Sequence, residues 1–254
     1  MAMPLDGAPA SSGPERTVDV LVGTVRLPGY LTVPEPARGL VVFAHAGGGS
    51  RSNGGNRMIT EHLGTLGLAT LLNDLLTGEE AEDDLLVFDV GMLADRLLAT
   101  VSWARAQPEL SGLPLGFLAT GSGTGAALMA AADLGDGIRA VVSRSGRPNL
   151  AGCWLEQVRA PTLLVVGGLD HELFELNLAA QSRLRCRNAF EVVPGASEGF
   201  DEPGALEALS KLAGRWFLFN FTPRGDASAF RRRPRRRSAS PSPGAADGGR
   251  LLRR

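Results

Sequence analysis

Polar and apolar positions follow two different periods along this chain. Val18–Val25 and Tyr30–Val33 alternate, and together, joined around Pro28-Gly29, they predict an antiparallel hairpin. Beyond it, short continuous apolar runs alternate with helical stretches. Leu40–Ala44, Leu68–Leu72, Leu115–Ala119, Ala140–Ser143, Thr162–Val166 and Ala189–Val193 read as buried strands. Met58–Leu66, Val90–Ala106, Gly125–Ala132, Leu173–Leu184 and Pro203–Phe219 read as helices, the second with apolar residues at 90, 93, 94, 97, 98 and 101. Such alternation implies βαβ units and a sheet covered on both faces. The predicted fold class is α/β: a mostly parallel sheet of about seven or eight strands, with the hairpin antiparallel at one edge.

The pattern stops at Phe221. Residues 1–16 are rich in Ala, Ser, Pro and Gly, lack the charged-then-apolar order of a signal peptide, and read as a flexible lead-in. Residues 17–221 form the expected domain, and 222–254 an arginine-rich tail too poor in apolar residues to fold. Charge divides the same way. Ten arginines against Asp226 and Asp247 give Arg224–Arg254 a charge of +8, leaving −9 on the rest of a chain whose net charge is −1. Arg231–Arg237 could meet phosphates in a salt-dependent way. No aromatic residues interleave with them, so a solvated tail is expected and nucleic-acid association is confined to it.

No apolar run approaches the length of about eighteen residues that a membrane span needs, and a cytoplasmic location is expected. Cys153 and Cys186 are too few for a disulfide framework and lack metal-ligand spacing. They read as small buried hydrophobes, and neither a metal nor a cofactor is expected. Gly78–Asp84 (GEEAEDD) reads as an acidic surface loop.

Ligands of an open α/β sheet bind beyond the carboxyl ends of its strands, so the strand-to-helix turns carry the chemistry. After LVVFA comes His45-Ala46-Gly47-Gly48-Gly49-Ser50, whose glycines either present backbone N–H groups to an anion or merely turn tightly. Between Leu115–Ala119 and the following helix lies Thr120-Gly121-Ser122-Gly123-Thr124-Gly125, where a nucleophile elbow belongs. Ser122 is flanked by Thr120 and Thr124, so the strict Gly-x-Ser-x-Gly motif is not met, and in the frame Gly121-x-Gly123-x-Gly125 the nucleophile position is Gly123 itself. A phosphate loop is the other option, but no Gly-Lys-Ser/Thr follows. Asp170 ends the strand TLLVV as a candidate triad acid. The turn Pro194–Phe200, where a base is due, has no histidine; the chain holds only His45, His62 and His171.

From Leu40 to Phe217 the chain resembles α/β-hydrolases of the dienelactone-hydrolase class, especially a bacterial subgroup sometimes fused to phosphoribosyltransferases. The resemblance rests on VVFAHAGGGSRS, GNRMITEHL, LATLLNDLLT, FDVGMLADRL, AVVSRSGRPNLAG, RAPTLLVVGGLD and VPGAS, in that order. It implies a Ser-His-Asp hydrolase whose elbow, roughly Gly-Ala-Ser-Thr-Gly, lies over Ala119–Gly123. The nucleophile position then falls on Gly121, with Ser122 one residue late, and the histidine position falls on Glu198. Of the triad only Asp170 matches.

A serine hydroxyl needs a base to take its proton, and Glu198 could serve only if burial raised its pKa. The expected function is thus a catalytically impaired hydrolase fold that binds a small anionic ligand or a partner. Ala46, Gly47 and Ser122 would supply backbone oxyanion donors, and Arg51, Arg57, Arg144 and Arg147 would hold the anion. The alternative is an active carboxylic-ester hydrolase using Ser122, Asp170 and an unconventional base.

Overall fold

In the computed structural model, which describes residues 13–46 and 54–222, the chain builds a sheet of eight strands in the order β1-β2-β4-β3-β5-β6-β7-β8. The strands are β1 (Glu15–Val22), β2 (Val25–Thr32), β3 (Gly39–Ala44), β4 (Leu68–Asn73), β5 (Leu115–Gly121), β6 (Ala140–Gly146), β7 (Thr162–Gly167) and β8 (Asn188–Val193). β1–β2 and β2–β4 pair antiparallel, and every pair from β4 through β8 is parallel. The helices are α1 (Gly54–Thr65), the four-residue α2 (Asp84–Val87), α3 (Val90–Ala106), α4 (Gly123–Leu134), α5 (His171–Arg183) and α6 (Ala205–Phe221).

The continuous apolar runs become strands because both faces of the sheet are covered. On one face Ile59 and Leu63 of α1 and Leu209, Ala213 and Phe217 of α6 pack on Val41, Phe43, Leu118 and Val142. On the other, α3, α4 and α5 cover Val42, Phe117, Val141 and Leu164. Helix α3 starts where the Asp89 carboxylate accepts the Met92 N–H at 3.0 Å, an N-cap that satisfies one of the helix's unpaired donors.

The hairpin differs from expectation in its turn. Pro28 and Gly29 lie inside β2, opposite Asp19 and Val18, and the chain reverses instead at Gly23-Thr24, with Gly23 at φ 59°. Pairing of β2 with β4 begins only at Gly29, so the N–H that Pro28 lacks falls beyond the end of that ladder. Strand β1 begins at Glu15, so Glu15 and Arg16 belong to the sheet rather than to a flexible lead-in. The expectations for residues 1–12 and for the arginine-rich tail from Pro223 lie outside the described residues.

Two further expectations are corrected. Cys153 is exposed and Cys186 half-buried, so only the second resembles a core residue, and burial pushes its thiol pKa up. The acidic segment is more than a solvated loop. Glu80 accepts from both terminal guanidinium nitrogens of the buried Arg96 at 2.6 and 2.7 Å, while Arg96 also donates to the Leu75 carbonyl at 2.8 Å.

Candidate active site

The parallel strands bring the four informative turns to one edge of the sheet. Ala44 of β3 lies beside Ala119 of β5, Gly121 beside Gly146 of β6, and Gly167 of β7 beside Val193 of β8. The segments holding Ala46, Gly121, Asp170 and Glu198 therefore share the carboxyl edge.

Gly121 is the apex of the elbow. Its φ is 55°, a left-handed conformation that side-chain-bearing residues adopt only with strain, and a Cβ built there would meet nothing within 4 Å. Its carbonyl accepts the Arg147 N–H at 2.9 Å. The turn thus has the backbone of a raised residue and open space above it, but no side chain. Two residues on, Gly123 has the opposite constraint. A Cβ there would lie 2.2 Å from the Ala44 carbonyl oxygen, so only glycine lets α4 start this close to the end of β3.

Ser122 does not take the apex. It has ordinary helical angles, φ −65° and ψ −26°, and is buried. Its Oγ donates to the Val87 carbonyl at the end of α2, 2.6 Å away. Asp170 caps α5, its carboxylate accepting the Leu173 N–H at 2.9 Å. The turn that carries Glu198 is tied to it: the Leu169 N–H donates to the Ala196 carbonyl at 3.0 Å. Glu198 itself is exposed, which removes the burial a carboxylate base would need.

Of the histidines, His62 lies on α1 facing α6 and His171 opens α5 in solvent. His45 is the buried histidine of this edge, bridged to Asp74 at the end of β4. Burial, reinforced by the positive charge of Arg144 and opposed by Asp74, lowers its pKa from 6.5 to about 4. Its imidazole is neutral at physiological pH.

The expected anion-binding arginines separate. Arg57 is exposed and pairs with Glu15 at 3.0 Å, and Arg147 pairs with Glu172 at 3.1 Å. Arg144 is buried, with only 8% of its surface exposed. Arg51 and Gly47 lie outside the described residues, whereas Ala46 is buried directly after the bridge residue His45. Asp74 and Asn56 joined the site without having been foreseen. Asp74 directly follows the strand LATLLN, so the strand-end rule applied to β4 would have found it.

Among the described residues no cluster of three His, Cys, Asp or Glu side chains is placed to hold a metal ion, and no helix is long and apolar enough to cross a membrane. A groove of about 550 Å³ lined by Val158, Arg159 and Cys186 lies before β7 and β8, on the sheet edge opposite the elbow.

Comparison with known proteins places this architecture. A dienelactone hydrolase from Anabaena variabilis ATCC 29413 is 45% identical in sequence, and superposes with a TM-score of 0.79 over 83% of this chain and 99% of that one. The chain belongs to the dienelactone-hydrolase-like α/β-hydrolases. No family model matches it. Two Mycobacterium tuberculosis proteins, provisionally described as phosphoribosyl transferases, are each 50% identical over 204 residues, 80% of this chain. The chain spans only 46% of their length. A dienelactone hydrolase-like promiscuous phosphotriesterase from metagenomic libraries, at 20% identity and a TM-score of 0.67, shares the fold alone.

Proposed function

We propose that this dienelactone-hydrolase-like protein has lost serine-hydrolase catalysis and binds a small anionic molecule at the carboxyl edge of its sheet. The observation that carries the reading is the apex. Gly121 keeps the left-handed backbone of a nucleophile elbow, at φ 55° with open space above it, but offers no nucleophile. An elbow holds its nucleophile in a backbone strained for any side-chain-bearing residue, whereas a glycine adopts the same angles freely and only shapes the turn.

Ser122 does not substitute. To attack a carbonyl it would have to release the Val87 carbonyl, climb to the apex and find a base, and the aligned base position holds the exposed Glu198. Losing the nucleophile or base of such a unit removes on the order of a millionfold in turnover. What remains is a binding edge whose one buried cation among the described residues is Arg144. Phosphoribosyl transfer is not carried over from the mycobacterial relatives, because the matched residues are those that build the hydrolase fold.

A fluorophosphonate probe on the purified chain tests this reading. We expect no labelling, and p-nitrophenyl acetate turnover no faster than that of Ser122→Ala. Labelling that vanishes in Ser122→Ala would replace this reading with an active esterase.

A further inference from the structure

Arg144 is a buried charge whose needs the described residues do not meet. A guanidinium carries five N–H donors and cannot shed its proton. Among the described residues the side chain makes one hydrogen bond, from a terminal nitrogen to Asn56 Oδ1 of α1 at 3.2 Å, and its buried Nε has no partner there. No carboxylate pairs with it within ion-pair distance among the described residues, and Asp201 acts on it only from further away. Burying an arginine in this state costs free energy unless something supplies the missing acceptors.

The neighbouring backbone shows the same deficit. Ser145, the next residue, is 1% exposed with φ 40°, and its hydroxyl is buried without a partner. It occupies a bulge where β5–β6 pairing shifts from Thr120↔Arg144 to Gly121↔Gly146. Strain and unsatisfied polar atoms concentrated at one strand end, beside the elbow, are expected where a ligand completes the hydrogen bonding. Thr120, paired with Arg144 across the sheet, is only partly buried, so this row is not sealed from solvent.

We propose that the end of β6 is an anion subsite in which the Arg144 guanidinium, steadied by Asn56, receives a singly charged oxyanion of the bound molecule, a carboxylate or a phosphodiester. This rests on the binding reading above and names the residue and charge that it leaves open. Single charge follows from the surroundings. Among the described residues Arg144 is the only buried cation of this edge, His45 is neutral, and Asp74 and Asp201 are near enough to be felt, so a dianion meets too little positive potential.

The test is calorimetric titration of the full chain with benzoate, dimethyl phosphate and sulfate at fixed ionic strength. We expect benzoate or dimethyl phosphate to bind and sulfate to bind more weakly, the first two distinguishing carboxylate from phosphodiester. Arg144→Met should weaken the preferred monoanion at least about tenfold, and Arg144→Lys should weaken it too, because an ammonium keeps the charge but loses the planar fork. Arg57→Ala and Arg147→Ala should bind as the parent does. Without ligand, Arg144→Met should melt no lower than the parent, since it removes a poorly compensated buried charge. Unchanged affinity in Arg144→Met overturns the subsite while leaving the binding reading intact. Binding of neither monoanion overturns both, whereas fluorophosphonate labelling reports on the vacant elbow regardless of either result.

Discussion

The Ser122 hydroxyl donates a 2.6 Å hydrogen bond to the Val87 carbonyl, joining the elbow to the short helix α2. The serine hydroxyl of this turn therefore fastens a neighbouring segment instead of facing a substrate. Ser122→Ala should leave any ester turnover at the parent's level. It should lower stability by about 1–2 kcal/mol, because the carbonyl loses its partner. Urea unfolding read together with an ester assay checks both parts, and a loss of turnover would contradict the role given to Ser122.

Catalysis should be restorable only by two changes together. Gly121→Ser places a side chain into open space but at φ 55°, at a cost of about 1–2 kcal/mol. Glu198→His supplies a base in the turn bonded to that of Asp170. Each single variant should stay close to background, since nucleophile and base act as a unit. The double variant should label with fluorophosphonate and turn over p-nitrophenyl acetate. Labelling by Glu198→His alone would mean that Ser122 reaches the apex after all.

Gly121 and Gly123 should respond to alanine for opposite reasons. At 121 the methyl group meets no atom and the penalty is conformational, about 1 kcal/mol. At 123 it would sit 2.2 Å from the Ala44 oxygen, a rigid backbone atom, and should cost at least about 1–3 kcal/mol by pushing α4 off β3. Thermal midpoints of the two variants, compared side by side, give the order.

The Glu80–Arg96 pair should make the protein acid-sensitive in a defined window. Hydrogen bonding to Arg96 lowers the Glu80 pKa from 4.5 to about 2. A carboxylate depressed on folding stabilises fully above its unfolded value, and that stability is lost as pH falls from 4.5 through about 2. Glu80→Gln strands the buried Arg96 charge and should cost about 3 kcal/mol at pH 7. Denaturant midpoints across pH for both proteins should show the variant's acid slope flattened.

His45 should impose a second, higher window. Its folded pKa of about 4 lies below its ordinary 6.5, so as pH falls between these values the unfolded chain takes up the proton first and stability declines. The full loss is on the order of 3 kcal/mol. His45→Asn should flatten this region and leave the Glu80 window in place. Urea unfolding at pH 7, 5.5 and 4.5 separates the two groups.

Much of this molecule was legible in one dimension. Continuous apolar runs such as Leu40–Ala44 and Thr162–Val166 can be satisfied only between two covering layers, so they fixed a parallel sheet with helices on both faces. The family resemblance carried by the order of motifs put the nucleophile position on Gly121 and the histidine position on Glu198, and the left-handed φ of 55° at Gly121 is one that glycine adopts freely. What the sequence could not decide was which side chains are shielded together. The four arginines near strand ends look alike in sequence, yet Arg57 and Arg147 reach exposed glutamates while Arg144 is enclosed beneath α1. Ser122 adjoins the apex by number, but its hydroxyl is claimed by Val87, 35 residues away. Glu80 belongs to an acidic run that composition assigns to solvent, and only folding brings α3 against it. Periodicity and turn chemistry act over a few residues and survive in the sequence, whereas burial, charge pairing and the direction of a hydroxyl depend on segments that meet only in the folded chain.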